Sequence, residues 1–366
     1  MGLVNGPEWR QTRLCIAEAF AQRSIAGAIG RVTEITREYM AELEANGRLA
    51  QQMLNPGRDL RLLPFWIMAD YLYGRLSPEQ HSQLEALVPL RDSLFQRVIQ
   101  GGATRFSWSQ YLPSTANRDL NDFKARWKQF NDVAYTACKE QGHAPPIVRM
   151  LEAYRDGSIT MDNMLQTMDE MLFGNLDVTA GGLTWNPLFM AAYPGVQAQL
   201  RQELRRELGD GRKAWEAYLL RSDTLLAASI LEAARLKPIA AFSIPQAAPS
   251  DRVVGGYLVP GRTNYVIDTY ALNVRNPYWG KDSAEYRPSR FLERKAADTR
   301  YHYWRFGFGP RQCLGKYLAD IMIRVIVARL VGGYQLNLTP TSSWDKNPSV
   351  WIAHPDTEIL CEKIME

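Results

Sequence analysis

Along the first two thirds of the chain the apolar positions recur every three to four residues, as in "LCIAEAFAQRSIAGAIGRVTEITREYMAELEA" and "VQAQLRQELRREL". No run there alternates with the period of two that a half-buried strand requires, so the pattern predicts a helical region. Turn signals at Asn55-Pro56-Gly57, at "HAPP" (143–146) and at Gly209-Asp210-Gly211 divide it. After Pro238 the texture changes: in "RVVGGYLVPGRTNYVIDTY" β-branched and aromatic residues lie between glycines, which predicts short strands and a hairpin. An irregular stretch from about Asn273 to Gly315 follows, then a helix over "KYLADIMIRVIVARLV" and a C-terminal part with strands. With no internal repeat, low-complexity segment or linker, the reading is a single domain over residues 1–366, mainly α with a small β region.

Composition adds limits. A chain of 366 residues, 46% hydrophobic and 22% charged, has enough apolar material for a sizeable core. The formal net charge of +4 is mildly basic and does not single out nucleic acid. "FKARWKQF" at 123–130 interleaves cations with aromatics, but one short run is better read as a helix with a solvated basic face. Cys15, Cys138, Cys313 and Cys361 include no CxxC pair, which argues against a disulfide framework or a zinc site and fits a reducing, intracellular compartment. "GLVNGPEWRQTR" after Met1 lacks the apolar core of a signal peptide or anchor. The longest uncharged stretch, Val178 to Leu200, carries two prolines and three glycines and makes a poor membrane span.

The chemistry concentrates in "FGFGPRQCLG", residues 306–315. Glycines at 307, 309 and 315 allow tight turns that bring backbone N–H groups close to a neighbouring atom. A Cys313 thiolate beside such donors, Arg311 and the positive end of the next helix suits metal binding; a structural cysteine in a glycine-rich turn is the plainer alternative. Phe306, Gly309, Arg311, Cys313 and Gly315 spell FxxGxRxCxG, and here the sequence resembles the cytochrome P450 family. The resemblance implies haem b as cofactor, with Cys313 the axial thiolate on iron, Arg311 paired with a propionate and Phe306 packed beside the sulfur.

Three further motifs extend the resemblance. Glu232 and Arg235 in "LEAARLKP" alone would be an ordinary ion pair three residues apart, but with Arg290 of "YRPSRF" they match the ExxR and PxRF segments. The resemblance makes Glu232, Arg235 and Arg290 a buried structural triad. Trp9 and Arg13 in "EWRQTR" stack on a helix surface if taken alone; by resemblance they form the WxxxR pair that reaches a haem propionate. "MDEMLFGNLDVTAGG" is similar to the family's oxygen-binding helix, with Gly174 and Asn175 in the small-residue places, Asp177 as the acid of a proton relay and Val178 where a threonine is usual. Thr179 is adjacent, but one residue turns a helix by about 100°, so a helical bulge, an ordered water or a substrate alcohol has to complete the relay. Asp177 also reads as a plain polar residue at a helix irregularity. In "KPIAAFSIPQAAPSDR", Ile239, Phe242 and Ile244 are candidates for an apolar substrate wall, and Gln246 and Arg252 stand near the place of a propionate-binding arginine.

The resemblance implies the cytochrome P450 fold, incomplete at the N-terminus because WxxxR stands so early, at residues 9–13. It would then lack the first helices, part of the β-sheet and the endoplasmic-reticulum anchor of full-length relatives, and would expose apolar surface. The implied activity is a monooxygenase that inserts one oxygen atom from O2 into a small organic substrate. Electrons come from NAD(P)H through a partner of the NADPH-cytochrome P450 reductase type, whose acidic face meets basic residues such as Arg10 and Lys316. "GNLDVTAGG" and "FSIPQ" resemble fungal members that tailor secondary metabolites, including cyclic dipeptide products. Two other readings stay open: a non-catalytic remnant unable to hold haem, and a haem-thiolate oxidase doing coupling or dehydration, for which Val178 speaks.

Overall fold

The helical spacing of the first two thirds is realised as helices, the longest of them Pro78–Gln100 and Thr115–Glu140, and the change of texture after Pro238 as short antiparallel strands. The computed structural model describes residues 1–366 except 3, 209–210, 348–351, 353 and 365–366; the predicted turn at Gly209-Asp210 lies outside the described residues. The fold is mainly α with a small β region, as expected. The chain gathers into two compact units, one of Met1–Tyr39, Arg61–Thr179 and Tyr317–Met322, the other of Met40–Leu60, Ala180–Lys316 and Ile323–Glu366.

The run from Leu14 to Ala45, most of it in the first unit, is not one helix. It divides into Gly6–Ala17, Gln22–Ala26 and Ile29–Asn46, the first break where Ala21 turns to an extended backbone with ψ 150° and the second at a turn over Gly27 and Ala28. The bend at Ala21 sends Phe20 and Ile25 inward, and Phe20 meets the edge of Tyr71 at 5.5 Å. The core is aromatic: Phe123, Trp127 and Phe130 of the helix Thr115–Glu140 stack in series, and Phe173 meets Trp127 edge-on at 5.3 Å. The cations of "FKARWKQF" point the other way and pair along the helix, Arg126 with Asp122 at 3.4 Å and Lys128 with Asp132 at 2.6 Å. This is the solvated basic face expected for an amphipathic helix. Asn55, Pro56 and Gly57, in the second unit, form a helix start, with the Asn55 side chain accepting from the Arg58 N–H.

The second unit holds a three-stranded antiparallel sheet in which Ile359–Lys363 lies between Met53–Leu54 and Tyr334–Leu338. Buried Gln197 ties the helix Pro194–Leu208 to this sheet, exchanging hydrogen bonds of 2.9 Å with the backbone N–H and C=O of Leu336. The predicted hairpin pairs Arg252–Val254 with Tyr257–Val259 across Gly255 and Gly256, both at positive φ (60° and 85°). Two successive positive φ angles match the twist of paired strands, which is why a Gly-Gly pair marks the turn. The apolar residues here face outward: Phe242, Val253, Tyr257 and Leu258 are exposed and Ile244 is 82% exposed. Among the described residues no helix is long and apolar enough to cross a membrane, and Pro187 interrupts the apolar helix Val178–Ala192.

Candidate functional site

The cysteine loop is closed by its own backbone. The Cys313 N–H donates to the Phe306 C=O at 2.9 Å and the Gln312 N–H to the Gly309 C=O at 3.0 Å. The Gln312 side-chain amide adds a bond of 3.0 Å to the Gly307 C=O. These bonds need Gly307 at φ +76° and Gly309 at φ +69°, a region that costs other residues about 1–2 kcal/mol. A Cβ on Gly307 would meet the Trp304 ring at 3.7 Å, an ordinary contact. Gly307→Ala is therefore expected to destabilise the chain by about 1–2 kcal/mol through backbone strain alone, read as a lower urea midpoint with an unchanged m-value.

Cys313 itself is exposed, two residues before the N-cap Gly315 of the helix Lys316–Gly333, whose first N–H groups and dipole favour a thiolate nearby. Arg311 is half-buried, and that burial lowers the pKa of its guanidinium, so an anion beside it would be favoured. Lys316 reaches back to the Gln312 side chain at 2.7 Å.

Behind the loop lies a charged group with no water access. Glu232, Arg235 and Arg290 are each 0% exposed. Glu232 takes two bonds from Arg235 (2.7 and 2.8 Å), one from Arg290 (2.8 Å) and one from the Arg287 N–H (3.0 Å). The other guanidinium donors go mainly to backbone carbonyls, Arg235 to Asn273 (2.9 Å) and Ser283 (2.7 Å), Arg290 to Trp279 (3.1 Å) and Asp282 (2.8 Å), and Arg290 also pairs with the Asp282 carboxylate at 3.4 Å. Arg235 also lies over the Trp279 ring, 4.9 Å from its centroid. Asn273 carries the order on to the loop, its side chain bonding the Trp304 C=O at 2.9 Å and the Trp304 N–H at 2.6 Å, two residues before Phe306.

The second unit thus brings together Phe306, Arg311 and Cys313, and the three members of the triad. Trp9, Arg13, Asp177 and Thr179 belong to the first unit. There the Arg13 guanidinium lies 5.7 Å from the Trp9 ring centroid, on one face of the helix Gly6–Ala17. A 3-10 turn, Gly174–Leu176, interrupts the path between the helices Met161–Phe173 and Val178–Ala192, so the segment is irregular at the acid's place. Asp177 pairs with Arg61 at 3.6 Å, and Arg61 also holds Asp92 at 2.7 Å. Val178 is 38% exposed, whereas Thr179 is buried and its hydroxyl donates to the Asn175 side-chain oxygen at 2.6 Å. Asn175, which the motif puts in a small-residue place, also donates its amide to the Met171 C=O; its contact with Thr179 is what motif matching passes over, and their spacing of four is the signal.

The segment after Pro238 supplies less. Gln246 and Arg252 sit on exposed strands, Gln246 accepting from the Tyr265 hydroxyl and Arg252 donating to the Asp251 C=O. Phe242 and Ile244 are exposed, so they build no buried wall within their own unit.

The donor set decides what metal the loop suits. Among the described residues no three His, Cys, Asp or Glu side chains cluster to hold an ion. An iron bound at Cys313 would find no such cluster to complete its shell, so a macrocycle would have to supply most of its other ligands, with Arg311 near enough in the chain to meet an acidic substituent. The residues fit a haem.

Comparison with known proteins agrees. Residues 1–361 match the family described as Cytochrome P450. Cytochrome P450 monooxygenase aclC of Aspergillus oryzae is 46% identical over 99% of this chain and 74% of its own length. Cytochrome P450 monooxygenase gliC of Aspergillus fumigatus is 39% identical over 99% of this chain and 72% of its own length. A zebra fish cytochrome P450 structure with progesterone superposes with a TM-score of 0.76 at 20% identity, covering 98% of this chain and 83% of that one, which shows a shared fold. The chain belongs to the cytochrome P450 family and is an oxidoreductase akin to its fungal monooxygenases.

Proposed function

We propose that this chain is a haem-thiolate monooxygenase that inserts one oxygen atom from O2 into a small organic compound of fungal secondary metabolism. The observation that carries this is the cysteine on a glycine-built loop before a helix N-terminus, with no group of three or more metal-ligating side chains among the described residues. Haem, when bound, supplies oxygen activation and transfer. The protein's part is to hold and to supply. Cys313 gives the thiolate, and the loop N–H groups and helix end stabilise its charge. Arg311 and Arg13 hold carboxylates of the cofactor, and the triad keeps the loop's frame rigid. Thr179 carries a proton on Oγ1, fixed by Asn175, and Asp177, partly exposed beside Arg61, exchanges protons with solvent.

Electrons reach the site from NAD(P)H through an acidic reductase. Support for a basic docking face comes from a cavity of about 810 Å³ beside the cysteine loop, where Arg294, Arg300 and Arg305 line the same hollow as Phe306 and Gln312. The textures "GNLDVTAGG" and "FSIPQ" support a cyclic dipeptide as substrate, and the similarity to monooxygenases of two Aspergillus species supports the coarser reading of a fungal monooxygenase. The second reading, a coupling or dehydrating oxidase, is favoured by Val178 in the usual place of the threonine.

Turnover under ¹⁸O2 with NADPH, a reductase and a panel of cyclic dipeptides tests both. One labelled oxygen atom in the product is the expected result. A product formed without label would overturn oxygen insertion in favour of the oxidase, and a chain that binds no haem would remove both.

A further inference from the structure

A cavity of about 670 Å³ lies at the C-terminal end of the helix Leu225–Leu236, lined by none of the cysteine-loop residues. Its walls are aromatic: Trp185, Phe189 and Tyr193 at successive spacings of four, with Tyr270 and Trp344. The Trp185 and Trp344 rings are parallel within 5°, their centroids 6.3 Å apart. Between these walls stands a cation. The Lys237 ammonium is 4.3 Å from the Trp185 centroid and 5.5 Å from that of Trp344.

Lys237 is poorly satisfied for a charged group. Its Nζ donates to the Trp344 C=O at 3.1 Å, and no carboxylate of the described residues lies within ion-pair distance. One of three N–H donors is thus spent on a neutral acceptor. Asp345, also at the cavity, is exposed and takes the Ser343 hydroxyl at 2.7 Å. Burial lowers the lysine's pKa, only partly offset by Asp345. A half-buried ammonium in this state gains from an anion that replaces its lost water, and the ring faces gain from a flat apolar partner. The volume lies in the range of small-molecule sites.

We propose that this cavity is a second ligand site of the chain, separate from the cysteine loop, which binds a small aromatic carboxylate. The carboxylate sits on the two remaining N–H donors of Lys237, and the ring lies against the more exposed aromatic walls, Trp344, Tyr193 and Tyr270.

The test is calorimetric titration of the full chain with 2-naphthoate and, as the neutral isostere, 2-naphthamide. The expected result is saturable binding of naphthoate, with naphthamide weaker by about tenfold or more, the ratio that one charge-assisted hydrogen bond supplies. Lys237→Met should remove that preference and leave the weak binding of the amide in place. Trp344→Leu, at a partly exposed position, should weaken both probes. Equal affinities for acid and amide, an acid preference that survives in Lys237→Met, or no binding of naphthoate would each overturn the proposal. Should Lys237→Met fail to fold, Trp344→Leu decides: unchanged binding of both probes places them elsewhere.

Discussion

Cys313→Ala is expected to abolish the red-shifted Soret band that a thiolate-bound, reduced haem shows with carbon monoxide. The band depends on one sulfur, because Cys313 is the sole cysteine in its loop and no cluster of alternative ligands is present among the described residues. The fold should tolerate the change. Cys313 is exposed and the bond that closes the loop uses its backbone N–H, which alanine keeps. Far-ultraviolet circular dichroism of the variant should therefore match that of the parent. Cys313→His sharpens the result: an imidazole can still hold iron, but without the red shift, which separates loss of the thiolate from loss of the pocket. A red-shifted band that persists in Cys313→Ala would show that another residue is the ligand.

Glu232→Gln should be the most damaging conservative change, with a loss of about 3–5 kcal/mol, because it leaves fully buried Arg235 without its anion and Arg290 with only the partly exposed Asp282 carboxylate at 3.4 Å. The amide keeps one acceptor oxygen where the carboxylate served four donors, so hydrogen bonds are lost along with charge. Since a whole domain holds only about 5–15 kcal/mol, such a variant should sit close to its unfolding transition at 37 °C. Urea unfolding followed by tryptophan fluorescence reads the effect. A loss below about 1 kcal/mol, the worth of a surface pair, would mean that water reaches the triad.

Much of this was legible in the chain. The hairpin at Gly255-Gly256 and the cysteine loop both turn on glycines that must adopt positive φ, a demand that only the residue type reveals. The triad was legible as residue types at fixed spacings, but its carbonyl acceptors at Asn273, Ser283 and Trp279 were not, since a backbone oxygen has no sequence signature. The bend at Ala21 escaped because alanine is the strongest helix former, and the burial of Phe20 overrides it. Lys237 and its aromatic walls were equally hidden: the residue that accepts its bond stands 107 positions away.

The link from Arg235 through Asn273 to Trp304 has a further consequence, for the order of assembly. The three bonds of this link, from Arg235 to the Asn273 C=O and from the Asn273 side chain to both backbone groups of Trp304, join one part of the chain to another. The entry to the loop is thus ordered by the same contacts that bury the triad, and its conformational entropy is lost when the triad forms. Loss of the triad would therefore be felt twice, as lost stability and as a cysteine loop whose entry at Trp304 is no longer held.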